Sequence, residues 1–121
     1  MAFDKTKNKL TGGEGEEIAA LYLEQKGYKI IDRNVEFPFG EIDILARTRK
    51  IIVIVEVKTV RGGGFGEAVD LVRFAKQKKL KLLARAIEQQ YPDKTIRIDV
   101  VGVDLTCSEP KIEHLESAVE G

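Results

Sequence analysis

Glu41-Ile42-Asp43-Ile44-Leu45, then Ile51-Ile52-Val53-Ile54-Val55-Glu56-Val57-Lys58, is the stretch whose reading decides the fold. The second run is continuous and mostly β-branched, the pattern of a central strand covered on both faces. The first alternates polar and apolar, which sets Glu41 and Asp43 on one face. Thr48-Arg49-Lys50 makes the turn that folds the two runs into a hairpin. Such a hairpin brings Asp43 beside Glu56, while Glu56 and Lys58 share a face with Ile52 and Ile54.

Working outward, Tyr28 to Glu36 reads as a preceding strand, with Pro38-Phe39-Gly40 as its turn. Before it, Glu14 to Lys26 reads as a helix with Ile18, Ala19, Tyr22 and Leu23 on its apolar face and Gly27 as C-cap. Downstream, Arg61-Gly62-Gly63-Gly64-Phe65-Gly66 is a glycine-rich loop. A long helix is expected from about Glu67 to Gln90, ending at Tyr91-Pro92. Thr95 to Leu105 is a further strand, and Lys111 to Leu115 a short last one. The order αβββαβ, with one more strand, predicts an α/β domain with a mixed sheet flanked by helices. Residues 1–13 are expected as a flexible lead-in, 14–117 as the single domain, and 118–121 as a tail.

The chain has 121 residues, enough for one domain with a core of its own. At 43% hydrophobic and 33% charged it is neither disordered nor membrane-like. Its first residues lack the apolar segment of a secretory signal, so a cytoplasmic location and no membrane partner are expected. A single cysteine, Cys107, offers neither an internal disulfide nor a multi-cysteine zinc site. The single histidine, His114, sits in the short last strand without a nucleophile signature and reads as structural or exposed. The 20 basic and 20 acidic side chains cancel, so any polyanion site has to be a local basic face. Arg73, Lys76, Lys78, Lys79, Lys81 and Arg85 supply one, with no acidic residue between them.

Glu56 and Lys58 at the end of a buried strand cost several kcal/mol, roughly, unless they are paired or bind something. A Glu-Lys ion pair is the plain alternative. Asp43 beside Glu56 changes the balance, because two close carboxylates repel. A Mg²⁺ or Mn²⁺ ion resolves that repulsion, since hard cations take oxygen ligands and keep several waters. Lys58 then has a task, orienting the attacking water or holding a phosphate oxygen. Glu16 projects from the first helix toward the sheet as a third carboxylate; Glu14 and Glu17 read as ordinary first-turn acids. In the long helix Lys76 interrupts the apolar stripe of Val69, Val72, Leu80, Leu83 and Ile87. It either snorkels to the edge or reaches the acidic cluster or a phosphate, with Gln77 a weaker candidate beside it. Lys79 lies off the stripe and is expected to be solvated. The glycine loop has no Gly-Lys-Ser/Thr and is no P-loop; Arg61 beside it is available for a phosphate.

Asp43 followed by Glu56-Val57-Lys58 resembles the PD-(D/E)xK nuclease signature, with Glu16 matching a helix-one glutamate of resolvase-like members. More closely, the chain resembles the YraN-like family of bacterial proteins. The residues that carry the likeness are Gly15-Glu16 with Ala19 and Leu23, Arg33-Asn34, Gly40-Glu41-Ile42-Asp43, Val55-Glu56-Val57-Lys58, Phe65-Gly66, Lys76-Gln77 with Leu80, Arg97 with Asp99, and His114 with Ala118. The resemblance implies a restriction-endonuclease-like fold and metal-dependent phosphodiester cleavage. Asp43, Glu56, the Val57 carbonyl and Glu16 would serve the metal, and Lys58 would be catalytic. Nucleic acid, DNA ahead of RNA, is the expected partner, with Lys76, Gln77 and Arg61 as contacts; a homodimer is left open. The runner-up is a non-catalytic nucleic-acid-binding or repair-accessory module with the same fold.

Overall fold

Helix α1 spans Leu10–Gln25. It takes in Thr11-Gly12-Gly13, part of the segment that composition alone places in a flexible lead-in. Glycine propensity is a weak prior that packing overrides, and here the packing is visible: a Cβ at Gly15 would collide with the Thr59 hydroxyl. Gly15 lets this part of α1 come down onto β3. The helix ends as expected at Gly27, whose φ of 99° is left-handed. Tyr28 N–H bonds to Leu23 C=O at 3.0 Å and Gly27 N–H to Glu24 C=O at 3.0 Å, the paired bonds of a Schellman cap.

A computed structural model of the chain describes residues 10–61 and 77–118. Strands β1 (Lys29–Phe37), β2 (Gly40–Thr48) and β3 (Ile51–Val60) follow α1. Helix α2 is described over Gln77–Gln90, and β4 (Thr95–Asp104) and β5 (Lys111–Leu115) complete the order. The five strands form one mixed sheet in the order β1-β2-β3-β4-β5. Among the described residues only β3 and β4 pair in parallel, in unbroken register from Ile51↔Thr95 to Val60↔Asp104. The architecture is thus α/β, a mixed five-stranded sheet flanked by helices.

Each face of the sheet carries its own core. Ala19, Ala20 and Leu23 of α1 pack on Ile44, Ala46, Val53, Val55, Val101 and Val103. Leu80, Leu83 and Ile87 of α2 pack on Ile42, Leu45, Ile52, Ile54, Ile98 and Val100. The β-branched run of β3 is covered on both sides, as its composition predicts. Ala118, expected at the start of a tail, is instead tied in. Its N–H bonds to Ile98 C=O at 2.8 Å and its side chain packs against the α2-side core.

One irregularity runs across β1 and β2. Ile42 belongs to the α2-side core and Ile44, two residues on, to the α1-side core. A regular strand would put both on one face. In β1, Arg33 and Asn34 both reach α1 although they are consecutive, and Asn34 has a left-handed φ of 54°. Since Arg33 pairs with Ile44 and Val35 with Ile42, Asn34 lies opposite Asp43. Both strands therefore switch faces at this one cross-strand position.

Candidate functional site

The face switch corrects the simple alternation expected for Glu41-Ile42-Asp43 and sets up the site. The β2–β3 ladder runs from Thr48↔Ile51 to Ile44↔Val55 and ends there. At the next step Asp43 Oδ2 accepts the Val57 N–H at 2.8 Å. The aspartate thus occupies the place of a backbone rung and sits where the two strands part. A strand residue's N–H and C=O point toward the same neighbouring strand, so the Val57 carbonyl faces this fork as well.

Glu56 is the residue that register extends opposite Asp43, and it is only 5% exposed. The unbroken β3–β4 register carries Glu56 and Lys58 onto the face of Ile52 and Ile54, the α2 side. Lys58 is half-buried. Asp43 is therefore bonded to Val57, with Glu56 and Lys58 the residues on either side of it in β3.

Glu16 arrives from the other layer. It is 7% exposed. Its Oε1 accepts the Asn34 side-chain amide at 3.0 Å, with the Arg33 guanidinium at 4.0 Å. Asn34 faces Asp43 across the β1–β2 pair, so Glu16 is linked to the fork through a residue that motif reading leaves without a role. The signal was present in Arg33-Asn34, because asparagine is the non-glycine residue that most readily adopts the left-handed conformation. Among the described residues, no three His, Cys, Asp or Glu side chains gather on one point as a metal-holding group.

The remaining candidates divide. Arg61 is exposed and paired with Glu14 at 3.3 Å. Gln77, the first described residue of α2, is half-buried. Lys76 and the loop Gly62 to Gly66 lie outside the described residues. Lys79 is not simply solvated: its stem lies so close to Gly40 that a Cβ there would be 2.7 Å from the Lys79 Cδ.

A second polar cluster lies on the α1 face of β4, with β3 between it and the fork. Asp99 is completely buried. Arg97 grips both its oxygens, Nε to Oδ1 and Nη2 to Oδ2, each at 2.9 Å. His114 Nε2 lies 2.8 Å from Oδ2, and Ser117 N–H donates to Oδ1 at 3.1 Å. A carboxylate only accepts, so Nε2 carries the proton and Nδ1 can accept from the Tyr22 hydroxyl 3.4 Å away. Arg97 also donates to the Tyr28 hydroxyl at 2.6 Å. Burial pushes the Asp99 carboxyl up, but hydrogen bonds from His114, Arg97 and Ser117 outweigh it and hold it below its ordinary value. Arg97, Asp99 and His114 thus form a clasp between β4, β5 and the end of α1, and the structural reading of His114 holds.

Relatives place this geometry in a family. A UPF0102 protein of Thermodesulfovibrio yellowstonii is 43% identical over 111 residues, 88% of this chain and 93% of the relative. One from Alkaliphilus oremlandii is 40% identical over 119 residues, covering 92% and 98%. One from Geobacter metallireducens is 40% identical over 115 residues, covering 93% and 94%. Among solved structures, SfsA of Pyrococcus furiosus in complex with Ca²⁺ aligns with a TM-score of 0.31 and 20% identity, over 94% of this chain and 65% of SfsA. That likeness is too slight to bear on the site. Residues 15–103, which include Glu16, Asp43, Glu56 and Lys58, match the model described as uncharacterised protein family UPF0102; with relatives this similar along nearly its whole length, the chain belongs to that family.

Proposed function

We propose that the fork between β2 and β3 is the active site of a divalent-metal-dependent nuclease that hydrolyses DNA phosphodiester bonds, branched or otherwise structured DNA included. The observation that carries this reading is the Asp43 carboxylate on the Val57 N–H, which lies between Glu56 and Lys58 in β3. A strand pair built only for stability would continue its backbone ladder there. Instead the chain places two carboxylates and a carbonyl at the end of a buried strand.

The donor set suits a hard cation. A carboxylate has about four lone-pair sites, so Asp43 can accept the Val57 N–H and still offer oxygen to an ion. Asp43, Glu56 and the Val57 carbonyl would hold Mg²⁺ or Mn²⁺, with water filling the rest, as small divalent ions prefer. Such an ion supplies Lewis-acid polarisation of a phosphoryl oxygen and a more acidic water. Lys58 donates hydrogen bonds to a non-bridging phosphate oxygen and offsets the charge that develops there. Glu16, held by Asn34, supports the site from the α1 layer. Gln77, Lys76 and Arg61 contact the nucleic-acid backbone.

The test is incubation with Mn²⁺ or Mg²⁺ and a panel of linear, flapped and four-way DNAs, with Asp43→Asn as the paired control. Ion-dependent cleavage that Asp43→Asn lacks upholds the reading. A wild-type protein that binds these DNAs but leaves them intact with either ion is a non-catalytic binding module instead.

A further inference from the structure

The Pro38-Phe39 turn carries an exposed aromatic that neither core uses. Phe39 is 40% exposed. Its ring stacks on Phe37, with centroids 5.5 Å apart and planes 20° from parallel. Phe37 in turn packs against the α2-side core, so the outer ring rests on a fixed inner one. A single exposed phenylalanine is ordinary. This one is backed by a second ring, and its neighbour Gly40 lies against the stem of Lys79.

The position adds to the argument. Gly40 is three residues from Asp43 along β2, about 10 Å in an extended strand. The turn therefore overhangs the same end of the sheet as the fork. From Gln77 to Ile87, α2 presents Lys78, Lys79, Lys81 and Arg85 with no acidic residue. Flat apolar rings next to cationic side chains are the two components that hold single-stranded nucleic acid, one stacking on a base and the other meeting the phosphates. Bases inside a duplex have no free face to offer.

We infer that Phe39, backed by Phe37 and flanked by Lys79, is a stacking platform for an unpaired base, so that the substrate presents single-stranded nucleotides next to the cleavage site. This inference rests on the nuclease reading for its setting but is tested apart from it. Binding is measured in EDTA, where no cleavage occurs, with a labelled oligothymidylate and a duplex of the same length. Phe39 lies in a turn outside both cores, and melting curves check that each variant stays folded. Phe39→Ala and Phe39→Leu should each bind the single strand about tenfold more weakly or worse and the duplex as wild type does. Phe39→Trp should keep affinity. Because the chain has no tryptophan, its emission reports stacking directly and should be quenched by the single strand. Wild-type affinity in Phe39→Leu, or equal losses on both DNAs, would overturn the platform. Single-strand binding that depends on Phe39 without cleavage would keep the platform and remove the nuclease. Cleavage unaffected in Phe39→Ala would do the reverse.

Discussion

Asn34 shows how one residue's backbone serves a site it does not belong to. Its left-handed conformation lets two consecutive side chains reach α1, and its amide holds Glu16. Asn34→Ala should cost about 1–2 kcal/mol, the left-handed penalty for a residue without the short polar side chain that relieves it. Asn34→Gly should recover most of the stability but not the grip on Glu16. Urea denaturation of the two variants separates backbone from side chain. Lys58→Ala asks a different question. If the lysine acts chiefly on the developing charge, the variant should melt like wild type and cleave about a hundredfold slower or worse. A fall of about 3–5 kcal/mol in stability would instead make Lys58 the partner that keeps Glu56 tolerable in the interior. At this scale the sequence was legible in part. Asp43, Glu56 and Lys58 announce themselves because charged residues interrupt apolar strands. Asn34 gives only the hint of a left-handed φ, because its role depends also on a cross-strand neighbour. The placement of Asp43 between strands was hidden for the same reason: alternation predicts faces, and Asp43 sits where alternation fails.

Among the elements, α1 and the β4–β5 pair are each held by a close fit that propensity cannot reveal. Gly15→Ala would push a methyl into Thr59 and lift the start of α1, with Glu16 on it, from β3. The expected cost is about 1–3 kcal/mol, as for other overpacked contacts. Combining it with Thr59→Ala should return part of that, a coupling that a double-mutant cycle measures. The clasp of β4 and β5 makes a pH prediction. Asp99 has a folded pKa below its unfolded one, so the folded state binds fewer protons as the carboxyl titrates. Its contribution is complete above the unfolded value, about 3.9, and is lost as pH falls through the lower folded value. Urea midpoints should therefore drop as pH falls below about 4. In Asp99→Asn the midpoint should be lower at neutral pH and flatter across that acid range. An equal acid slope in both proteins would assign the pH dependence to other carboxylates. Strands, turns and Gly27 were readable from periodicity and turn chemistry. The clasp was not, since residues spaced from Tyr22 to Ser117 meet only once the sheet exists.

For the whole molecule, both cores are built from apolar side chains, so on the proposed reading a metal should add stability rather than create the fold. An ion bound only by the folded state contributes about 2.7 kcal/mol at a hundred times its Kd. Mn²⁺ should accordingly raise the melting temperature of the wild type and leave Asp43→Asn unchanged. A similar rise in both proteins would move the ion elsewhere. Among the described residues no helix is long and apolar enough to cross a membrane.

The Asp99 clasp also bears on the order in which a nascent chain can settle. Arg97 and Asp99 leave the ribosome well before His114 and Ser117, yet the buried carboxylate needs all of them. Synthesis proceeds at about 5–20 residues per second, so for about one to four seconds Asp99 has Arg97 beside it but neither His114 nor Ser117. During that interval β1, β2 and β3 can pair as a meander while β4 stays in water. Chains ending at Pro110 and at Ala118, each followed by a linker that spans the exit tunnel, should be a partly ordered, protease-sensitive species and a resistant one respectively. β3 and β4, which share the parallel register, would then be joined only once β5 and Ser117 have been made.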